Sequence, residues 1–435
     1  MSKPKKIELE FAKKIAKLME ASPTSFNVIE ENKKLLEENG YSELNESEKW
    51  NLVPGGKYYL TRNLSTIIAF QIPKSKNING FMIAASHSDH PCFKIKHNPE
   101  IDVDGKYTVI NTEPYAKPMY YTWMDRPLSV AGRILRKTKN GFKTEIVNAD
   151  RPLFMIPSLS SHQADNVNKN GFKVESYNQV RPLFGEENVN LLNLITNKTD
   201  DIIDYDLYVV VSSKPEIWGA NYEFLSARAI DDQVSAYSSL LALIESKPTK
   251  SIPVHMIFDN EEVGSNTKQG ANSLILSNTL EHIAKTLGLE YNQMLPNSFI
   301  ASVDNGHAFH PNYPESTDST HKTYLGKGML LKAASNFSYS TDGLSSAIVY
   351  SILKNTKIQI QEYYNKPSTS PGSTLARFIS PKTTIASADL GVPQLSMHSG
   401  YETCSAKDAL YLKEFIKEVF SSSIKMEKDG NYKLI

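Results

Sequence analysis

Ile257-Phe258-Asp259-Asn260-Glu261-Glu262-Val263-Gly264-Ser265 is the stretch on which the reading of the fold turns. Ile252, Val254, Met256 and Phe258 alternate ahead of it, the pattern of a buried strand. Two adjacent glutamates follow, and Gly264-Ser265 reads as a turn with a helix cap. Bringing two carboxylates to the end of a buried strand is costly unless the charges find partners. A divalent metal is the commonest partner that holds two carboxylates together. The competing reading puts both glutamates in a solvated loop, and the pair alone does not separate the two.

The same arrangement recurs on both sides of this stretch. Upstream, the apolar run Phe81–Ala85 leads into Ser86-His87-Ser88-Asp89-His90-Pro91. Positions two apart on a strand face the same way, so His87 and Asp89 point into one space. A histidine with a carboxylate beside it is the usual outer-shell arrangement at a metal. Downstream, Ser298–Val303 ends in Asp304-Asn305-Gly306-His307, and Leu395-Ser396-Met397-His398 closes the last strand-like stretch. Ile230-Asp231-Asp232-Gln233 opens a helix with Val234, Tyr237, Leu241 and Ile244 on one stripe. Acids there also suit the helix dipole. In open α/β sheets sites form beyond the carboxyl ends of the strands. His87, Glu261, Glu262, Asp304 and His398 each fall at such an end, and Asp231 starts a helix.

The rest of the chain frames these residues. Helical periodicity covers 7–20, the segment from Ser25 toward Gly40, 267–287, 342–355 and 406–425. Strand-like runs cover Tyr58–Thr61, Ser65–Ile72 and Thr383–Ala386. Between about 93 and 228 the periodicity changes to short strands, with hairpin dipeptides at Asp104-Gly105 and Asn140-Gly141. The expected architecture is α/β, a central mixed sheet flanked by helices, with an inserted β-rich domain. Residues 1–92 and 229–435 then form the α/β domain and 93–228 the insertion. Within the insertion, His162 ends Pro157-Ser158-Leu159-Ser160-Ser161-His162.

Bulk composition excludes several function classes. The 435 residues carry no formal net charge, which removes an electrostatic case for nucleic acid or an anionic membrane. Only two cysteines, Cys92 and Cys404, are present. They offer neither a disulfide framework nor a Cys-based zinc site. No apolar run reaches the roughly 18 residues of a membrane span, and the charged start of the chain does not read as a signal peptide. The expected compartment is the cytoplasm. No Gly-x-Ser-x-Gly elbow, P-loop or Gly-x-Gly-x-x-Gly is present.

Two histidines with several carboxylates suit zinc, cobalt or manganese, whereas histidine disfavours calcium and magnesium. Paired metals, roughly 3.5–4 Å apart, share a bridging carboxylate. A glutamate left over beside them takes a proton from water, and the reaction class becomes amide or ester hydrolysis.

At this point the sequence resembles the metallo-aminopeptidases that include aspartyl aminopeptidase and vacuolar aminopeptidase I. The resemblance spans nearly the whole chain. Its motifs are Ser22-Pro23-Thr24, His87-Ser88-Asp89-His90-Pro91-Cys92, Arg151-Pro152-Leu153 through Pro157, and Asp231-Asp232. They continue with Asp259-Asn260-Glu261-Glu262-Val263-Gly264-Ser265, Asp304, and His307-Ala308-Phe309-His310-Pro311-Asn312-Tyr313. Pro371-Gly372-Ser373-Thr374 and Met397-His398-Ser399 complete the set. The resemblance implies two zinc ions per subunit, replaceable by cobalt or manganese. His87, Asp231 and Asp304 hold one, and Asp231, Glu262 and His398 the other, with Asp231 bridging. It implies Glu261 as general base and acid, Asp89 as the residue tuning His87, and a cis peptide after Asp231. It makes the β-rich insertion the dimerisation element of a dodecamer. His162 then reaches a neighbour's site, and His307 lies beside it, both as substrate contacts. The substrates are peptides with a free N-terminus.

One departure stands out. Ser226-Ala227-Arg228-Ala229-Ile230-Asp231-Asp232 holds one residue more between Arg228 and the aspartate than aspartyl aminopeptidases have, and Asn336–Asp342 offers no basic residue. The departure counts against a preference for acidic N-terminal residues, so a neutral or hydrophobic one, as in the vacuolar branch, stands beside the acidic one. The same ligands would also serve a dizinc N-acyl amino acid deacylase or amidohydrolase, and the assembly alone would serve a non-catalytic shell or cargo protein. Protons compete with metal for His87 and His398, so activity should fall on acidification through roughly pH 6.

Overall fold

The computed structural model describes residues 3–164, 166–174, 176–368 and 372–435. Pro371, which opens the Pro371-Gly372-Ser373-Thr374 motif, lies outside the described residues.

The run Ile252–Phe258 becomes the strand Ser251–Phe258, and every residue of it is buried. Ile252, Val254, Met256 and Phe258 pack into one core and Ile257 into another, so both faces of the strand are covered. Its neighbour Gly80–His87 divides the same way, with Met82 and Ala84 on one side and Phe81, Ile83 and Ala85 on the other. Double burial is what parallel strands under helices require. The four central strands, Ser251–Phe258, Gly80–His87, Phe299–Val303 and Ala386–Gly391, run parallel in that order. They sit inside a nine-stranded mixed sheet whose flanking pairs are mostly antiparallel. Parallel alignment delivers His87, the turn after Phe258 and the residue after Val303 to one edge.

Helices cover both faces. Lys6–Ala21, Ser25–Glu38, Ile230–Glu245, Gly343–Leu353 and Asp408–Ser421 contribute to the larger core. Ile275–Thr286 and Ala376–Thr383 close the other side. The insertion folds as a separate six-stranded antiparallel sheet spanning Cys92 to Val211, with its own apolar cluster around Phe93, Trp123 and Leu207. Its Asp104-Gly105 turn has positive φ at both positions, as a tight hairpin demands. A small third sheet joins Phe224–Ala227 to Glu402–Ser405, Pro393–Leu395 and Gly306–His307.

Three expectations are corrected. The helix expected over 267–287 starts only at Ile275. A Cβ at Gly270 would lie 2.4 Å from the Ser265 carbonyl, so the chain there is packed as turns. The strand expected over Thr383–Ala386 is instead a helix end, Ala376–Thr383, stopped by Thr384 in the left-handed region. The strand begins at Ala386 and carries Asp389 within it. The helix expected over 406–425 ends at Ser421, and a hairpin, Ile424–Lys428 with Asn431–Leu434, follows.

Candidate active site

His87 is the last residue of its strand, and its side chain is 1% exposed. Its Nδ1 lies 3.0 Å from the Asp89 carbonyl oxygen. A carbonyl can only accept, so Nδ1 carries a proton and Nε2 is the nitrogen turned toward the carboxylates. That Nε2 stands 3.5 Å from Asp231 Oδ1. The expectation that His87 and Asp89 share one space therefore holds in detail.

Asp89 also fixes the glutamate pair. Its Oδ1 accepts the Glu261 N–H at 3.0 Å, and its Oδ2 accepts the Glu262 N–H at 3.2 Å and the Tyr115 hydroxyl at 2.7 Å. The turn that brings both amides round is possible because Asn260 adopts φ +61°, a conformation asparagine tolerates better than most residues. The Asn260 amide donates to the Tyr115 hydroxyl, while its carbonyl accepts from Thr267 and Gln269.

The Asp231–Asp232 peptide is cis. Asp232 accepts the His87 N–H at 3.2 Å, which ties the helix start to the strand end. Glu402 makes a second tie: it accepts the Asp231 N–H at 3.0 Å and the His398 N–H at 2.6 Å, one oxygen to each. His398, itself at φ +67°, places Nε2 3.2 Å from Glu262 Oε2 and 3.7 Å from Asp231 Oδ2. Asp304 follows its strand, 3.7 Å from the buried Lys332 ammonium, which also donates to the Asp304 and Asn305 carbonyls.

Asp231, Glu261, Glu262, Asp304, His307 and His398 line one cleft of about 530 Å³. His162 lies on an exposed turn of the insertion and is not among the lining residues. Sequence reading missed Glu402, whose role depends on a backbone contact 171 residues away, and Lys332, which lies just upstream of the Asn336–Asp342 window. It also missed Tyr115, whose hydroxyl reaches Asp89 from the insertion.

Burial dominates the electrostatics. It raises the Glu261 and Glu262 carboxyls, with neighbouring acids adding for Glu261. It pushes Asp304 up to about 6 against the pull of Lys332. Burial works against the charged form of His398, yet Asp231 and Glu262 push that ring up to about 11. His87 is likewise raised by Asp231 and Asp89 over the opposing effect of burial. Crowded buried acids facing two rings suit a divalent cation. His87, Asp231 and Glu262 offer ligand atoms within 4.8 Å of one another. Asp231 Oδ1 and Glu262 Oε1 are buried without a hydrogen-bond partner. The residues fit a metal.

A parallel-centred α/β sheet with this cluster at its carboxyl edge defines a metal-dependent hydrolase. A family model described as aminopeptidase I zinc metalloprotease (M18) matches residues 18–420. A probable M18 family aminopeptidase 2 of Clostridium novyi is 38% identical, covering 96% of this chain and all of that protein. Aspartyl aminopeptidase of Dictyostelium discoideum is 31% identical over 96% of this chain and 97% of its own length. The S. cerevisiae mApe1 dodecamer structure superimposes with a TM-score of 0.83 at 25% identity, over 95% of this chain and 96% of that one. The chain belongs to the M18 zinc aminopeptidase family, and it is a metal-dependent aminopeptidase. Among the described residues no helix is long and apolar enough to cross a membrane.

Proposed function

We propose that this chain removes N-terminal residues from peptides at a two-zinc centre. In this reading His87, Asp231 and Asp304 hold one ion, and Asp231, Glu262 and His398 the other. Zinc bound there supplies a Lewis acid for the scissile carbonyl and lowers the pKa of water toward 7. Glu261 is the acid-cluster member left beside the ligands: it takes the proton from the attacking water and delivers it to the departing amine. Asp89 holds His87 in the required tautomer and fixes the backbone of Glu261 and Glu262. His307 forms part of the cleft wall and contacts substrate.

Residues 1–92 and 229–435 form the catalytic domain, and 93–228 an oligomerisation domain. Its separate sheet and core support this division. The insertion pairs subunits into dimers that assemble further, to a dodecamer as in the mApe1 structure. His162 then serves a neighbour's cleft. Its exposed position is consistent with that.

The observation that carries the reading is the meeting of His87, Asp231 and Glu262, from segments far apart in sequence, with His398 against the same carboxylates. Glu261→Gln should lower turnover of aminoacyl anilides by roughly 10²–10⁴-fold. Metal analysis of the same variant should still find about two ions per chain, as expected for paired sites. Full activity in that variant removes Glu261 from the role. An aminoacyl panel run with zinc, cobalt and manganese decides between acidic and neutral or hydrophobic N-terminal residues.

A further inference from the structure

The cleft holds two cations that the reaction as described does not use. Lys117 comes from the insertion, just after the strand Tyr107–Tyr115, and Arg377 is the second residue of the helix Ala376–Thr383. Both line the catalytic cleft and both are exposed. Among the described residues neither has a hydrogen-bond or ion-pair partner, whereas Lys332 in the same cleft is buried and engaged by Asp304 and two carbonyls.

Local structure does not account for either cation. An arginine in the first turn of a helix opposes the helix dipole. The Lys117 segment is held in place: the Met119 N–H donates to the His398 carbonyl at 3.1 Å, so the loop bearing Lys117 is anchored on the His398 loop. The Thr374 hydroxyl bonds Asp389, which anchors the segment leading to Arg377.

This inference rests on the two-metal site proposed above. Lys117 and Arg377 are the exposed basic side chains of that cleft, and among the described residues no carboxylate pairs with either. In an aminopeptidase the N-terminal residue occupies the metal end of the cleft, and the leaving peptide runs out through the mouth. We propose that Lys117 and Arg377 form a carboxylate-binding rim. It selects peptides that carry a negative charge just beyond the scissile bond. That charge is the C-terminal carboxylate of a short peptide or an acidic side chain.

The test uses the full-length, metal-loaded enzyme and tripeptides starting with the best residue of the aminoacyl panel. One has two further alanines and a free carboxylate, one is its C-terminal amide, and one is an amide with aspartate second. The parent should favour each charged peptide over the neutral amide by about three- to tenfold in kcat/KM, the scale of two exposed charge pairs. Raised salt should shrink that ratio. In the K117A/R377A double variant the ratio should fall to near one, and the charge-keeping K117R/R377K pair should restore it. A preference confined to the free acid assigns the rim to chain ends, and one confined to the aspartyl peptide assigns it to side chains. Equal rates on all three peptides in a parent that cleaves aminoacyl anilides overturn the rim alone, as does a ratio the double variant leaves unchanged. A parent that cleaves no anilide overturns the site assignment beneath it.

Discussion

Glu261 and Glu262 are neighbours in sequence, yet their side chains meet different surroundings. Glu262 meets the His398 ring, and Glu261 stays beside the cluster with its backbone held by Asp89. Glu402 shows how much of the site is built by residues that touch no substrate. Its two carboxylate oxygens each accept one amide, from Asp231 and from His398. Glutamine keeps only one acceptor and turns a donor toward the other amide. Glu402→Gln should therefore leave a buried group unpaired, at about 1–3 kcal/mol. It should also weaken metal binding by roughly 10–100-fold, the usual effect of losing a supporting partner. Metal titration with a parallel melt checks this; unchanged metal affinity would show that the two backbone ties do not position the ligands.

At the scale of elements, the edge where the parallel strands end decides the geometry. A Cβ on Gly391 would lie 2.0 Å from the Asp304 carbonyl oxygen, so that close approach sets where Asp304 emerges. Gly391→Ala should cost about 1–3 kcal/mol of stability, as overpacking does, and should lower kcat/KM because Asp304 must move. A melt and an anilide assay on the same preparation measure both. Much of this edge was legible in the sequence because strand alternation and an acid or histidine at each end repeat along the chain. Ser251–Phe258 and Gly80–His87 were visible for that reason. The helix Ala376–Thr383 was not, since Ser380, Pro381, Lys382 and Thr383 carry no helical periodicity and its burial comes from packing on another segment. Lys332 and Glu402 were hidden for a related reason: single polar residues gain a role only from backbone brought near by the fold.

At the scale of the whole molecule, metal and protons compete for the same groups. Without metal the folded chain holds protons that the unfolded chain releases. The His398 pKa is raised from its unfolded value of about 6.5 to about 11. Its stabilising contribution is complete below about 6.5 and is lost as pH rises through the folded value. Raised Glu261, Glu262 and Asp304 act in the same direction from about pH 4 upward, Asp304 up to about 6. The chelated enzyme should therefore lose Tm between about pH 6 and pH 9, and metal should add most stability at the alkaline end. Melts with and without chelator across that range test it; a chelated protein whose Tm climbs with pH would contradict the assignment of protons. Activity of the loaded enzyme moves the other way and falls below roughly pH 6 as protons displace metal from the rings.

The Met119 N–H reaches the His398 carbonyl, and the Gly400 N–H reaches the Thr122 hydroxyl. Two stitches thus fasten the β-rich insertion to the strap that carries a proposed ligand. Trimming the insertion to obtain a smaller peptidase would cut both stitches. In the proposed assembly, strain applied where the insertion meets another subunit would reach the His398 carbonyl itself, which would tie assembly to turnover.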